Sequence, residues 1–210
     1  MRIHQYPTYE AYCKAQIRGS RRRSARRPSA NPTEIYAIGE YLVDMELAAK
    51  RGGCVQRGIC HGARCGTEIK LFQNAFPTAD VIGTDLAPMA TGDIDKELFD
   101  KIIYCDFHDQ RPEWVGQFDF VYSNSLDHSP RPSDALKTWM EQLKPTGLLF
   151  LTWTFLHTLE SRPVPHPGGD CFGAALHEYI KLVQDAGRVH DLLWIDAGLG
   201  QVVIVGGPKN

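Results

Sequence analysis

The chain has 210 residues, of which 43% are hydrophobic and 23% charged, with a formal net charge of −2. That length and composition suit an ordinary soluble globular chain with enough apolar side chains for a proper core. No apolar stretch approaches the length of a membrane span, and the N-terminus lacks the uninterrupted apolar region of a secretory signal, so cytoplasm is the expected location. The charge is unevenly spread. The first 50 residues hold nine Lys/Arg against five Asp/Glu, and the other 160 hold fourteen against twenty. In a cytoplasmic setting the six cysteines, at 13, 54, 60, 65, 105 and 171, read as reduced thiols.

In chain order, residues 8–23 are expected to form a helix that runs into a tract of six arginines between Arg18 and Arg27, closed by Pro28-Ser29-Ala30. Asn31 as N-cap, Pro32 at the first helical position and Glu34 in the first turn open the next helix. Ile35, Ile38, Leu42, Met45 and Ala49 give it one apolar stripe, and Gly52-Gly53 stops it. A regular alternation follows: a strand at about 54–60, a helix at 65–76 ended by Pro77, a strand at 80–85, a short helix near 94–101 and a strand at 102–107. Another strand at 118–123 leads to a helix at 133–143, a Lys144–Gly147 turn and a strand at 148–154. After a Pro/Gly/His-rich loop at 157–171, a helix at 173–186 precedes two strands, 189–196 and 201–206, joined by a short glycine turn. Alternating buried strands and helices predict a mostly parallel sheet covered on both faces, and the short final connection predicts an antiparallel hairpin. This divides the chain into an N-terminal helical extension with a basic arm, 1–52, and a main domain, 53–210.

One junction carries most of the functional information. The strand that ends at Cys60 breaks into a turn with Gly62 and Gly66, and Asp85 ends the next strand nineteen residues after Gly66. Glycines let the main chain approach a ligand closely, and an acid at this spacing suits a ribose hydroxyl pair, so a nucleoside-containing cofactor is the first expectation.

These elements resemble the class I S-adenosylmethionine-dependent methyltransferases over roughly residues 53–207. The likeness rests on Cys60-His61-Gly62-Ala63-Arg64-Cys65-Gly66-Thr67-Glu68, Val81-Ile82-Gly83-Thr84-Asp85, Cys105-Asp106-Phe107, and Phe118-Asp119-Phe120-Val121-Tyr122-Ser123-Asn124 in this order. It implies a Rossmann-like, doubly wound α/β fold: a mostly parallel seven-stranded sheet with a C-terminal antiparallel hairpin. It also implies S-adenosyl-L-methionine as cofactor. Its contacts would come from Cys60, His61, Gly62, Ala63, Arg64 and Gly66 of the turn, Asp85 and Leu86 at the ribose, Asp106 and Phe107 at the adenine, and Ser123 and Asn124. The family often carries an acid where this chain has Cys60. Arg64 is therefore the candidate for a bidentate grip on the methionine carboxylate, oriented by Glu68, with a solvated surface pair as the plainer alternative. Asp109 competes with Asp106 for the adenine role, and Asp119 is expected to anchor loop backbone.

For the transfer itself, His128 is the candidate base and Asp127 its orienting acid, in a loop whose polar residues would otherwise cap the next helix. His157 and His166 lie in the 157–171 loop, a candidate lid. A zinc set from Cys60, His61, Cys65, Cys105 and His108 is an alternative, but no CxxC pair supports it, and no metal is expected. The arginine tract suits an anionic or phosphorylated acceptor and leaves nucleic acid open. A small-molecule acceptor is favoured because the body carries no nucleic-acid module. The rivals are a nicotinamide-dependent oxidoreductase, which would want a third glycine in the turn, and a catalytically silent cofactor-binding protein.

Overall fold

A computed structural model of the chain describes residues 1–24, 30–48, 55–87, 96–158, 164, 170–195 and 200–209. Strand β1 (Arg2–Ile3) precedes helices α1 (Tyr9–Ser24) and α2 (Pro32–Ala48). The central alternation is β2 (Arg57–His61), α3 (Thr67–Ala75), β3 (Asp80–Asp85), β4 (Ile102–Tyr104), β5 (Phe118–Ser123), α4 (Pro132–Gln142) and β6 (Leu143–Thr154). Then come β7 (Phe172–Gly173), α5 (Leu176–Ala186), β8 (Arg188–Ile195) and β9 (Gln201–Gly207). The main sheet has seven strands in the order β4-β3-β2-β5-β6-β9-β8. The first five neighbours pair in parallel, while β9 runs antiparallel to both β6 and β8. This is the doubly wound fold with a terminal hairpin that the alternation predicts.

Strict alternation of side chains divides the apolar strands between two cores. Cys60, Phe120, Tyr122, Phe150, Val203 and Val205 face α2 and α3, where Ile35, Ile38, Leu42, Ile69 and Phe72 pack. Ile59, Val121, Leu149, Leu151, Val202 and Ile204 face α4 and α5, where Trp139, Met140, Tyr179 and Val183 pack. The N-cap of α2 forms as expected, the Asn31 side chain accepting from the Thr33 amide at 3.0 Å. The stripe of α2 ends early: Met45 is exposed, and Ala49, Gly52 and Gly53 lie outside the described residues.

Three local expectations are corrected. Lys144–Gly147 is not a turn but part of β6, bulging out between the pairs Phe118↔Leu143 and Phe120↔Leu148. The 102–107 strand stops at Tyr104, because Cys105 and Asp106 leave the sheet to build a polar corner. The short helix near 94–101 is a 3-10 helix over Lys96–Lys101, with residues 94 and 95 outside the description. Asp119 does anchor backbone: its Oδ2 accepts from the amides of Gln56 and Arg57, both at 2.9 Å.

The N-terminal segment is stitched onto the C-terminal half. Arg2 and Ile3 pair with Gly173 and Phe172 in a two-stranded sheet, and the His4 amide donates to the Cys171 carbonyl at 2.7 Å. This pairing, which periodicity did not reveal, delivers α1 to the ends of β2, β3 and β5. No helix among the described residues is long and apolar enough to cross a membrane.

Candidate active site

Parallel pairing aligns His61 with Thr84 on one side and Ser123 on the other, so the three strands end together. Beyond His61 the chain turns through left-handed conformations at Gly62 (φ +77°), Arg64 (φ +44°) and Gly66 (φ +80°). Glycine adopts these without steric cost, whereas Arg64 is held there by its surroundings. The Gly62 and Ala63 amides both donate to the Thr84 carbonyl, at 2.9 and 2.8 Å, and the Gly66 amide donates to that of Ala63. A Cβ on Gly62 would stand 2.5 Å from the Ser125 side chain, and one on Gly66 would crowd Leu98 and Ile102. The protein's own packing therefore demands both glycines; the expected reason, close approach of a ligand, is not required to explain them.

Asp85 ties this turn to the end of β3. Its Oδ2 accepts from the Arg64 amide at 2.9 Å and its Oδ1 from the Ala87 amide at 2.7 Å. Burial raises its carboxyl above the ordinary range, and those amides pull the other way. Asp106 occupies a comparable corner after β4. Its Oδ1 accepts from the amide and ring Nδ1 of His108, and its Oδ2 accepts from the Tyr9 hydroxyl at 3.0 Å. Burial opposes its ionisation, but the His108 and Tyr9 hydrogen bonds outweigh it and leave the carboxyl below its ordinary value. His108 Nε2 meets Ser129 Oγ at 2.7 Å. Asp109, by contrast, is exposed.

These groups wall one cleft. Gly62, Arg64, Asp85, Leu86, Asp106 and Phe107 line its floor, and Ser125 and His128 one side. Its roof comes from α1, through Tyr12, Gln16 and Ser20. With Tyr9, these positions step by three or four residues and so share one face of the helix. That spacing defines a helix face, and the pairing of β1 with β7 brings the segment that carries it over the cleft.

The remaining expected cofactor residues are not in the lining. Cys60 points into the core beneath α2 and α3, where burial raises its thiol well above the ordinary value. His61 is fully buried and stacks on Trp139, with ring centroids 5.0 Å apart. Its Nδ1 and Nε2 meet Thr84 Oγ1 and Gln142 Oε1, both at 2.8 Å, and burial lowers its pKa to about 4, leaving a neutral core imidazole. Ala63 is buried against Gly83, and Gly66 sits behind the lining. Ser123 Oγ donates to the His61 carbonyl and accepts from the Ser125 amide, while Asn124 accepts from Ser125 Oγ. Burial raises Glu68 to about 8, although the nearby Arg64 charge opposes this; a carboxyl so placed is no solvated surface partner. With both nitrogens of His61 and His108 engaged and Cys60 in the core, the soft zinc set does not converge.

His128 closes a 3-10 turn, Leu126–His128, after β5. The turn folds Asp127 back, so that its Oδ1 lies 3.8 Å from His128 Nε2, and Asp170 Oδ1 lies 3.6 Å from the same nitrogen. On the other side of the ring, Nδ1 lies 3.0 Å from Gln16 Oε1. Both aspartates are buried. Among the described residues, Asp127, His128 and Asp170 are the one His/Cys/Asp/Glu group close enough to share an ion. The side chain of His157, and all of His166, lie outside the described residues.

A sheet of this order, with a glycine turn and an acid at adjoining strand ends, has the architecture of the class I methyltransferases. Residues 61–151 match the family model described as a methyltransferase domain. No curated protein sequence matches the chain. Solved structures with the same fold include a 1,6-didemethyltoxoflavin-N1-methyltransferase from Burkholderia thailandensis, bound to 1,6-didemethyltoxoflavin and S-adenosylhomocysteine. It is 14% identical, with a TM-score of 0.69 over 99% of this chain and 94% of that one. A TehB-like SAM-dependent methyltransferase from Corynebacterium glutamicum is 16% identical, with a TM-score of 0.57 over 95% of this chain and all of its own. DesVI of Streptomyces venezuelae is 17% identical, with a TM-score of 0.61 over 85% of this chain and 92% of that one.

Proposed function

We propose that the chain transfers a methyl group from S-adenosyl-L-methionine to a small-molecule acceptor in the cleft beneath α1. One observation carries the reading: the glycine turn, Asp85 and Asp106, far apart in sequence, line a single cleft at the carboxyl ends of the parallel strands. The donor set fits an adenosine sulfonium. Asp85 offers carboxylate oxygens for a ribose hydroxyl pair, Leu86 and Phe107 offer apolar walls for a base, and the Arg64 guanidinium suits a carboxylate. Bound there, the cofactor supplies an electrophilic methyl group.

The chain's own part is positioning and proton management. The floor holds the cofactor while α1 covers the acceptor and keeps water out, which makes α1 a cap over the cleft. His128 takes the proton of an acceptor that must lose one, and Asp127 and Asp170 face the nitrogen opposite Gln16. The arginine tract that begins in the last turns of α1 suits an acceptor with an anionic group.

Calorimetric titration with S-adenosylhomocysteine and, separately, NAD tests the cofactor; saturable binding of NAD alone overturns the reading. Across an acceptor panel, His128→Ala should lower turnover about 100-fold or more while S-adenosylhomocysteine affinity stays within about twofold. Unchanged turnover removes His128 from the reaction.

A further inference from the structure

Gln16 grips His128 at both ends, although 112 residues separate them. Its Oε1 lies 3.0 Å from ring Nδ1, and its Nε2 donates to the His128 backbone carbonyl at 3.4 Å. A carbonyl oxygen accepts only, so the amide nitrogen must be the end that faces the His128 carbonyl, and the amide oxygen must be the end that faces the ring. An amide oxygen likewise accepts only, so the ring nitrogen beside it has to carry the hydrogen. The Cys171 thiol donates to the same His128 carbonyl at 3.0 Å, which further pins the residue's backbone.

We infer that Gln16 is a positioning residue that holds His128 with its hydrogen on Nδ1 and leaves Nε2, the nitrogen near the Asp127 and Asp170 carboxylates, to accept the proton. This deepens the proposed function, since it assigns the proton-accepting nitrogen of the base invoked there. In the transfer, the bond between the acceptor atom and its hydrogen would break, the freed electron pair would form the bond to the methyl carbon as that carbon's bond to the sulfonium sulfur breaks and returns its pair to sulfur, and the proton would move to Nε2. There the charges of two carboxylates 3.6 and 3.8 Å away favour the imidazolium that forms, while Gln16 keeps the Nδ1 hydrogen occupied and the ring from rotating. A helix outside the sheet thus sets which nitrogen of a histidine in the turn after β5 does the work. Ring orientation by a partner on the far nitrogen is a general requirement for histidine bases, and here an uncharged amide supplies it.

The test needs no acceptor. In the full chain labelled with 15N-histidine and held above the ring's titration, His128 should show a pyrrole-type Nδ1 with a directly bound proton and a pyridine-type Nε2. Gln16→Ala should merge these into averaged resonances of exchanging tautomers, while Gln16→Glu, which keeps an acceptor beside Nδ1, should restore the separation. An Nε2–H tautomer in the unaltered chain overturns the inference whatever the variants do. So does a Gln16→Ala spectrum matching the unaltered one. Titrating the same samples with S-adenosylhomocysteine separates the two claims: loss of binding in the unaltered chain overturns the methyltransferase reading and leaves the tautomer result standing.

Discussion

The floor and the roof of the cleft are built by different physics. The floor is main chain: two amides on the Thr84 carbonyl, two more on the Asp85 carboxylate, and a glycine turn clamped between parallel strands. Its bonds are buried and mutually dependent, and moving any one would disturb the sheet register. The roof is side chain: one hydrogen bond from Tyr9 to a partner 97 residues away and two between Gln16 and a partner 112 residues away, with a two-residue strand pair securing the segment before them. A floor of this kind holds one geometry regardless of what occupies the cleft, whereas a roof on a few exchangeable contacts opens at lower cost.

The largest effect should come from breaking the floor. Asp85→Asn keeps the volume but turns an amide NH₂ toward one of two backbone donors, so S-adenosylhomocysteine affinity should fall roughly 10- to 100-fold by calorimetry. Gly62→Ala combines a φ of +77° with a Cβ contact of 2.5 Å. It should cost about 1–3 kcal/mol of stability in denaturant unfolding and weaken the same ligand.

The pH response sharpens the comparison, because its groups lie behind the floor and away from the roof. Burial raises the Glu34 carboxyl from 4.5 to about 7, against hydrogen bonds from Thr152 and Gln201, and it raises Glu68 to about 8. The folded chain therefore retains protons that the unfolded chain has released, and the associated stability is present below 4.5 and lost as pH rises through 7 and 8. Melting temperature should fall steadily from about pH 5 to about pH 9, and Glu34→Gln should flatten part of that slope. The smallest effect belongs to the roof: Tyr9→Phe removes one hydrogen bond to Asp106 and should cost about 0.5–1.5 kcal/mol, with ligand affinity changed less than by any floor substitution. A Tyr9→Phe loss matching that of Asp85→Asn would erase the distinction between the two sides.

Strand and helix order was legible in the sequence because each element buries one face or two, and burial imprints its period on neighbouring residues. The long apolar run of β6 and the valines of β9 announce a sheet covered on both sides, and Asn31-Pro32 announces a helix start. Asp85 and Asp106 could be read from spacing because strand length and turn length fix where a strand-end residue lands. Cys60, His61 and Ser123 could not, because a side chain at a strand end points either into the cleft or into a core, and a one-residue shift in where the strand stops decides which. His61 shows this most clearly: its motif position suggested a ligand contact, yet register gives it to Thr84, Gln142 and Trp139.

From the order of its residues alone, the chain determined a parallel sheet with a closing hairpin and a glycine turn facing an acid. Both follow from local rules of period, capping and backbone freedom. Only tertiary structure decided that α1 roofs the cleft, that Gln16 meets His128, and that Asp170 joins Asp127 beside the same ring. Those contacts span dozens to more than a hundred residues and depend on a two-residue strand pair, which leaves no periodic trace for a sequence to display.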